Sequence, residues 1–375
     1  MAPAKNATPP ATTITTTTTT KSSSNRVQEE EDEKLSQECK ELLLSLPREK
    51  GWRTSYLYKF KGFWCQPKQI QAILSFQTHF QVKDTDVIVA SIPKSGTTWL
   101  KALVFAISNR DKHPILTSSK CPHDQNPQAH LQLSHPLLVS NPHDLVPFFE
   151  YKLYANTDGD QGLLDLSGLP DPRLFATHIP FGALQEPIKK SGCKIVYICR
   201  NPLDTFISSW VYTNKLMKEG GLPPLPLEEA FEMYCQGVVG FGPFWENMLG
   251  YWKESLERPE KVLFLKYEEM REDHEGLHLR KLANFLGCPF SLEEEKSGVL
   301  EGIAKLCSFE KLKDLEVNKS GSGAIMTFEN KHLFRKGQVG DWVNYLSPSM
   351  VEKLATVMDD KLGGSGLEFK QFVSY

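Results

Sequence analysis

Nine residues, Pro93 to Lys101 (PKSGTTWLK), constrain this chain more than any other stretch. They follow an apolar run, Val87–Ile92 (VIVASI), which reads as a buried strand, and they lead into Leu100–Ile107 (LKALVFAI), which reads as a helix. A strand that breaks at Pro93, turns through Lys-Ser-Gly-Thr-Thr and enters a helix makes an anion cradle. Backbone N–H groups at the helix start point at the ligand, Gly96 lets the backbone come close, and the hydroxyls of Ser95, Thr97 and Thr98 add donors. Lys94 brings a full positive charge to the same place. The inference is a phosphate-binding turn, although its order is not that of the G-x-x-x-x-G-K-[ST] loop, because Lys94 stands before Gly96. Trp99, in the first helical turn, is placed to stack on a purine base. On these residues alone, an ordinary strand-turn-helix with a chance lysine stays open.

A second strand pattern, Cys193–Cys199 (CKIVYIC), runs into Arg200-Asn201-Pro202 and on to Ser208. Pro202 suits the first turn of a helix, so Arg200 falls at the strand's carboxyl end and Ser208 about two turns into the helix. Carboxyl ends of parallel strands are where open α/β sheets bind ligands, and an arginine there offers a fork that fits a phosphate dianion. Pairing of Arg200 with a carboxylate such as Asp204 is the equal alternative. A third stretch, Phe334–Trp342 (FRKGQVGDW), puts Arg335 and Lys336 beside Gly337 as a flexible basic clamp, or as a plain solvated charge pair.

Taken together, these three segments resemble the signatures of the cytosolic sulfotransferases: the 5′-phosphosulfate loop, the R-N-x-x-D-x-x-x-S string, and RKGxxGDW near the C-terminus. The resemblance runs from about Leu35 onward. It is closest to plant members and, through NPHDLVPFFEYKLYAN, GFGPFWENMLGYW and DWVNYLSPSM, to the hydroxyjasmonate branch. It implies 3′-phosphoadenosine-5′-phosphosulfate (PAPS) as donor. Lys94 to Trp99 would then hold the 5′ end, Arg200, Ser208, Arg335, Lys336 and Gly337 the 3′-phosphate, and Tyr267 the nucleotide. Sulfuryl transfer to an alcohol needs a group that takes the acceptor's proton, and imidazole suits that task. The ten histidines are not separable by physics alone, but RLFATHIP resembles the family's R-L-x-x-T-H-x-P and nominates His178 as the base. Lys94 then meets the charge developing toward the 5′-phosphate, with Ser208 expected to hydrogen-bond Lys94. Two departures stand out: Ala176 replaces a lysine common in animal members, and Cys307 replaces a threonine, leaving Ser308 and Phe309 near the adenine. No metal is expected.

Composition agrees with a soluble enzyme. A net charge of -3 and a pI near 6.4 argue against nucleic acid as partner, and no apolar stretch approaches the length of a membrane span. The 8 cysteines are scattered without a C-x-x-C pair, the pattern of reduced core thiols in a cytoplasmic protein. Residues 1–33 are Thr/Ser-rich, then acidic, and cannot bury enough surface to order, so a disordered tail is expected there. The lack of acids before Glu29 is shared with plastid transit peptides, but arginines are few and the acidic block follows at once. Residues 34–375 read as one α/β domain, a P-loop-like parallel sheet flanked by helices on both faces. Its strands are Val87–Ile92, Cys193–Cys199 and Lys261–Tyr267. Helices are expected at Glu33–Leu46, Leu227–Val239, Pro243–Leu256, Leu277–Leu286, Ser291–Leu306 and Pro348–Leu362. Cys121, His123, His130, His135 and His113 match no zinc spacing and read as polar loop.

Competing readings are an ATP-dependent P-loop kinase and a nucleotide-binding relative without turnover. Neither accounts for Arg335-Lys336-Gly337 together with intact Lys94, His178 and Ser208. The acceptor is a small hydroxylated molecule: hydroxyjasmonate by resemblance, with flavonols, brassinosteroids and desulfoglucosinolates as alternatives. Phe60, Phe63, Trp64, Phe148 and Phe149 are candidate pocket walls or plain core. A monomer is expected, because the dimer motif of animal relatives aligns with Val343, Ser347, Pro348 and Glu352, of which only the glutamate is kept.

Overall fold

In a computed structural model, residues 34–115, 135–155, 165–322 and 329–369 are described. The expected tail at 1–33 lies outside them, as do Cys121, His123 and His130. A small antiparallel sheet comes first, from β1 (Arg48–Lys50), β2 (Tyr56–Phe60) and β3 (Phe63–Cys65). The main sheet is parallel, in the order β5-β4-β6-β7, with β4 at Val87–Ala90, β5 at Leu174–Thr177, β6 at Lys194–Cys199 and β7 at Val262–Lys266. Register aligns Val87 with both Leu174 and Lys194, and Ile195 with Val262.

Side chains alternate across a strand, so VIVA, LFAT and KIVYIC divide between two cores. Ile88, Ala90, Phe175, Ile195 and Tyr197 enter one cluster; Val87, Val89, Leu174, Ala176, Val196 and Ile198 enter the other. Helices cover both faces, which is the expected α/β architecture. At the amino ends of the strands, Arg173 grips Asp86 with two bonds of 2.7 and 2.6 Å, both side chains buried. This pair ties the start of β5 to the start of β4, and removing one partner of such a buried pair typically costs about 3–5 kcal/mol.

Several expectations shift. The antiparallel sheet was not foreseen, and neither was β5, the edge strand that carries His178. The helix expected over Ser291–Leu306 is two, Leu292–Lys296 and Val299–Leu306, broken where Gly298 takes φ 78°. The one expected over Leu227–Val239 ends at Cys235, just before Gly237 turns left-handed. Leu277–Leu286 and Pro348–Leu362 form over the expected residues.

Candidate active site

The four parallel strands each end next to a residue singled out from the sequence. β4 runs into the Ser91–Gly96 turn, β5 into His178, β6 into Arg200 and β7 into Tyr267. The chain leaves β4 for β5 on one side and reaches β6 on the other, so the strand order reverses at β4. The crevice such a switch opens at the carboxyl ends is the usual ligand site of an open α/β sheet. Here it is a cleft of about 260 Å³ lined by Lys94, Gly96, Thr97, Thr98, Trp99, His178, Arg200, Ser208, Tyr267, Arg335 and Gly337, among others.

Gly96 opens the helix Thr97–Ser108 at φ 105°, and a Cβ there would sit 2.7 Å from the Tyr267 ring. Only glycine fits both the dihedral and the space. Lys94 takes φ 68°, which is unusual for a residue with a side chain. The three hydroxyls of the turn differ. Thr97 Oγ1 pairs with Ser91 Oγ at 2.7 Å, Thr98 Oγ1 meets His143 Nε2 at 2.8 Å, and Ser95 Oγ is buried behind the wall with no partner. Trp99 packs edge-on to Tyr267 at 5.4 Å.

Cations crowd the cleft. Burial and then the neighbouring Arg335, Lys215 and Arg200 charges bring the Lys94 ammonium down to about 7. Its Nζ lies over the Tyr212 ring at 3.9 Å, and the expected Ser208–Lys94 hydrogen bond is not made. Arg200 makes the carboxylate pairing that the sequence left open and also lines the cleft. It pairs with Asp204 at 3.4 Å and donates to the Gln338 carbonyl at 2.6 Å, yet it faces the cleft with a buried Nε that has no partner. Asp204 also accepts from the N–H groups of Gly340 and Trp342, which docks the C-terminal clamp segment on the helix Pro202–Glu219. Within that segment Arg335 and Gly337 reach the cleft wall. Lys336 does not: it is exposed and bonds Asp341 at 2.6 Å. Phe309 lines the cleft, but Ser308 Oγ is occupied as a helix cap for Lys311 N–H.

His178 is held from three sides. Its N–H donates to Glu150 Oε1 at 2.6 Å, its carbonyl accepts from Asn247 at 2.9 Å, and its Nδ1 lies 2.7 Å from the Ser91 carbonyl. A carbonyl can only accept, so Nδ1 carries the hydrogen and Nε2 keeps the lone pair. Burial, with the Lys101 and Lys94 charges adding to it and the Ser91 bond opposing, pulls the imidazole pKa down to about 3. Glu150 is pushed up to about 7 by burial, against the pull of the backbone and Thr177 bonds it accepts.

The far end of the cleft differs from the sequence expectation. Phe60, Phe63, Trp64, Phe148 and Phe149 do not line it; Phe149, for instance, stacks on Phe76 at 4.2 Å within the core. The wall comes instead from Trp52, Arg53, Leu57, Tyr151, Tyr212, Leu216 and Phe241. Arg53 acts on the Tyr151 and Tyr212 hydroxyls, whose pKa values burial raises and Arg53 opposes. The sequence did not single these residues out as a wall, because they come from four separate stretches, around 52–57, 151, 212–216 and 241. The polar-loop histidines His113 and His135 pack on Phe105 at 6.2 and 5.9 Å.

Residues 84–366 match the family described as sulfotransferase domain. The chain belongs to the sulfotransferase family. It is 61% identical over 338 residues to cytosolic sulfotransferase 15 of Arabidopsis thaliana, covering 90% of this chain and 89% of that protein. It is 59% identical to cytosolic sulfotransferase 14 of the same plant, covering 90% and 92%. A crystal structure of an Arabidopsis thaliana sulphotransferase superposes with a TM-score of 0.66 at 40% identity, over 90% of this chain and 98% of that one. A mouse sulfotransferase solved with PAP shares the fold, with a TM-score of 0.60 at 24% identity over 82% and 95%. This sulfotransferase is therefore an enzyme that transfers a sulfuryl group to hydroxyl acceptors. Among the described residues, no helix is long and apolar enough to cross a membrane.

Proposed function

We propose that this sulfotransferase uses PAPS as donor and hydroxyjasmonate as acceptor, in the cytoplasm that its relatives' names indicate. One observation carries the reading. Lys94, Arg200 and Arg335 converge on one cleft with a buried, unpartnered Arg200 Nε, and a histidine with its Nε2 lone pair free lines the same cleft. The residues fit a doubly phosphorylated donor: Gly96 leaves room that any Cβ would fill, and Arg200, which lines the cleft, keeps a buried Nε without a partner. Bound there, the donor supplies the sulfuryl group. Lys94 is placed to meet charge at the bridging oxygen, and His178 Nε2 to take the proton of the acceptor hydroxyl as its oxygen attacks sulfur. Arg200, Ser208 and Arg335 hold the 3′-phosphate.

Arg53 favours a carboxylate-bearing acceptor. Its neighbours in the lining are Trp52, Leu57, Tyr151, Tyr212, Leu216 and Phe241 with the uncharged polar Thr54, Gln66, Gln69 and Thr213, and an arginine among them matches a carboxylate better than a neutral flavonol or brassinosteroid. A panel of hydroxyjasmonate, a flavonol, a brassinosteroid and a desulfoglucosinolate, assayed with PAPS and no added metal, should give the highest kcat/KM for hydroxyjasmonate. Arg53→Leu should raise KM for that acid about tenfold, as expected for one lost charge-assisted bond. Equal turnover of the free acid and its methyl ester would overturn the acceptor assignment.

Arg200→Ala and Arg335→Ala should each weaken PAP by about 1.5–3 kcal/mol. Adenosine 5′-phosphate, which lacks the 3′ group, should bind Arg200→Ala as well as it binds the wild type. Equal losses for both nucleotides would remove the 3′-phosphate from this end of the cleft.

The protein is proposed to be a monomer. Val343 is exposed where the animal dimer motif has a cation, and Ser347 and Pro348 serve as cap and first residue of the last helix. Light scattering should return a mass near 42.5 kDa, and twice that value would reveal another contact surface.

A further inference from the structure

Behind the phosphosulfate turn lies a polar pair that the mechanism above does not use. Lys101 follows Thr98 by three residues on the helix Thr97–Ser108, so both side chains leave the same side. His143 comes from the turn Pro142–Leu145, whose start is capped by Asn141 accepting from His143 N–H at 2.9 Å. The imidazole bridges the other two residues, with Nδ1 2.9 Å from Lys101 Nζ and Nε2 2.8 Å from Thr98 Oγ1. Lys101 is fully buried, its Nζ 3.2 Å from the centre of the Phe148 ring, and that ring stacks on His143 and packs at a tilt against His178. A buried lysine is costly, and an apolar side chain would pack there without that cost. Burial, and then Lys101 itself, lowers the His143 pKa, so the ring is neutral, with one donor nitrogen and one acceptor.

Burial lowers the Lys101 pKa well below its ordinary value, against the pull of Glu150, while the electron-rich Phe148 face beneath Nζ favours the ammonium; an ammonium has donors only, and even the neutral amine keeps N–H groups to donate. His143 Nδ1 must then accept, which leaves the hydrogen on Nε2, facing Thr98. We propose that Lys101 and His143 are positioning residues that aim the Thr98 hydroxyl: Lys101 donates to His143 Nδ1, His143 Nε2–H donates to Thr98 Oγ1, and the Thr98 hydrogen is left for the cleft. There it donates to the phosphosulfate end of the donor. The inference rests on the PAPS reading of this cleft. It adds a directed donor in a protein that has Ala176, not a cation, two residues before the base.

Two measurements test it. Nitrogen-15 NMR of histidine-labelled protein, with the His143 signals assigned by their loss in His143→Gln, should show the Nε2–H tautomer; an Nδ1–H tautomer overturns the proposal. This readout needs no activity, so it stands even if the wild type fails to transfer from PAPS, a result that would remove the functional reading instead. In steady-state kinetics, Lys101→Met and His143→Leu should each lower kcat about tenfold, the effect of one misdirected hydrogen bond. His143→Gln can accept from Lys101 and donate to Thr98, and should stay within about twofold of wild type. In a Thr98→Val background both losses should vanish, because there is no hydroxyl left to aim. Losses that persist in that background would mean a merely structural role and overturn the relay. If Lys101→Met does not fold, the His143→Leu and His143→Gln comparison in both backgrounds decides the question.

Discussion

His178→Ala should lower kcat by about 10²–10⁴, the usual loss for a positioned general base, while leaving PAP affinity near the wild-type value. The expectation follows from how the ring is held. The Ser91 carbonyl fixes the hydrogen on Nδ1, and the backbone bonds to Glu150 and Asn247 fix where the ring stands. The free enzyme carries a weak base, because burial and the Lys101 and Lys94 charges hold the imidazole to about 3. Anionic charge entering beside Lys94 offsets part of that depression, so basicity rises when the donor is in place. His178 is thus already unprotonated at pH 5, and kcat/KM should show no acid limb from it between pH 5 and 8. Glu150, at about 7, titrates inside that window, so a limb that disappears in Glu150→Gln belongs to the carboxyl group. Near-full activity of His178→Ala with its preferred acceptor would show that another group takes the proton.

Lys94→Met should cost about 10²–10³ in kcat, the range found when one preorganised donor to developing charge is removed, and should also weaken PAP. A second signature is thermodynamic. Burial, Arg335, Lys215 and Arg200 bring the Lys94 pKa to about 7, so at pH 8 most molecules carry a neutral amine. A phosphate anion favours the charged form and raises that pKa, so binding must take up a proton. Calorimetry of PAP binding at pH 8 in two buffers of different ionisation enthalpy should report this uptake. It should disappear in Lys94→Met. Unchanged uptake in that variant would assign the proton to another group and separate Lys94 from the phosphosulfate end.

The main strands were legible for a simple reason. Val87–Ala90, Lys194–Cys199 and Val262–Lys266 are covered on both faces, so they appear as unbroken apolar runs in the sequence. The Pro93–Gly96 turn was legible because its conformation demands particular residue types, with Gly96 at φ 105° the clearest case. β5 was not: four residues at a sheet edge, between a loop and a Pro, carry too little periodicity to separate from a motif. The first sheet was hidden for another reason. β1 is three exposed charged residues, β3 is three buried ones, and the burial of β2 follows no strict alternation, so no period marks them.

The sequence by itself determined the sheet type, the strand-turn-helix around Pro93–Gly96 and, through its motifs, the family, because those depend on short strings with local physical meaning. The tertiary structure alone decided that Arg335 lines the cleft while Lys336 is exposed, although both bond Asp341. It also decided the rest of the cleft wall. Trp52, Arg53, Tyr151, Tyr212 and Phe241 come from distant segments, and only the order β5-β4-β6-β7 and the packing over its carboxyl edge bring them together. Contacts between distant segments leave no period or spacing in a chain, so what the cleft accepts emerges only when the chain folds.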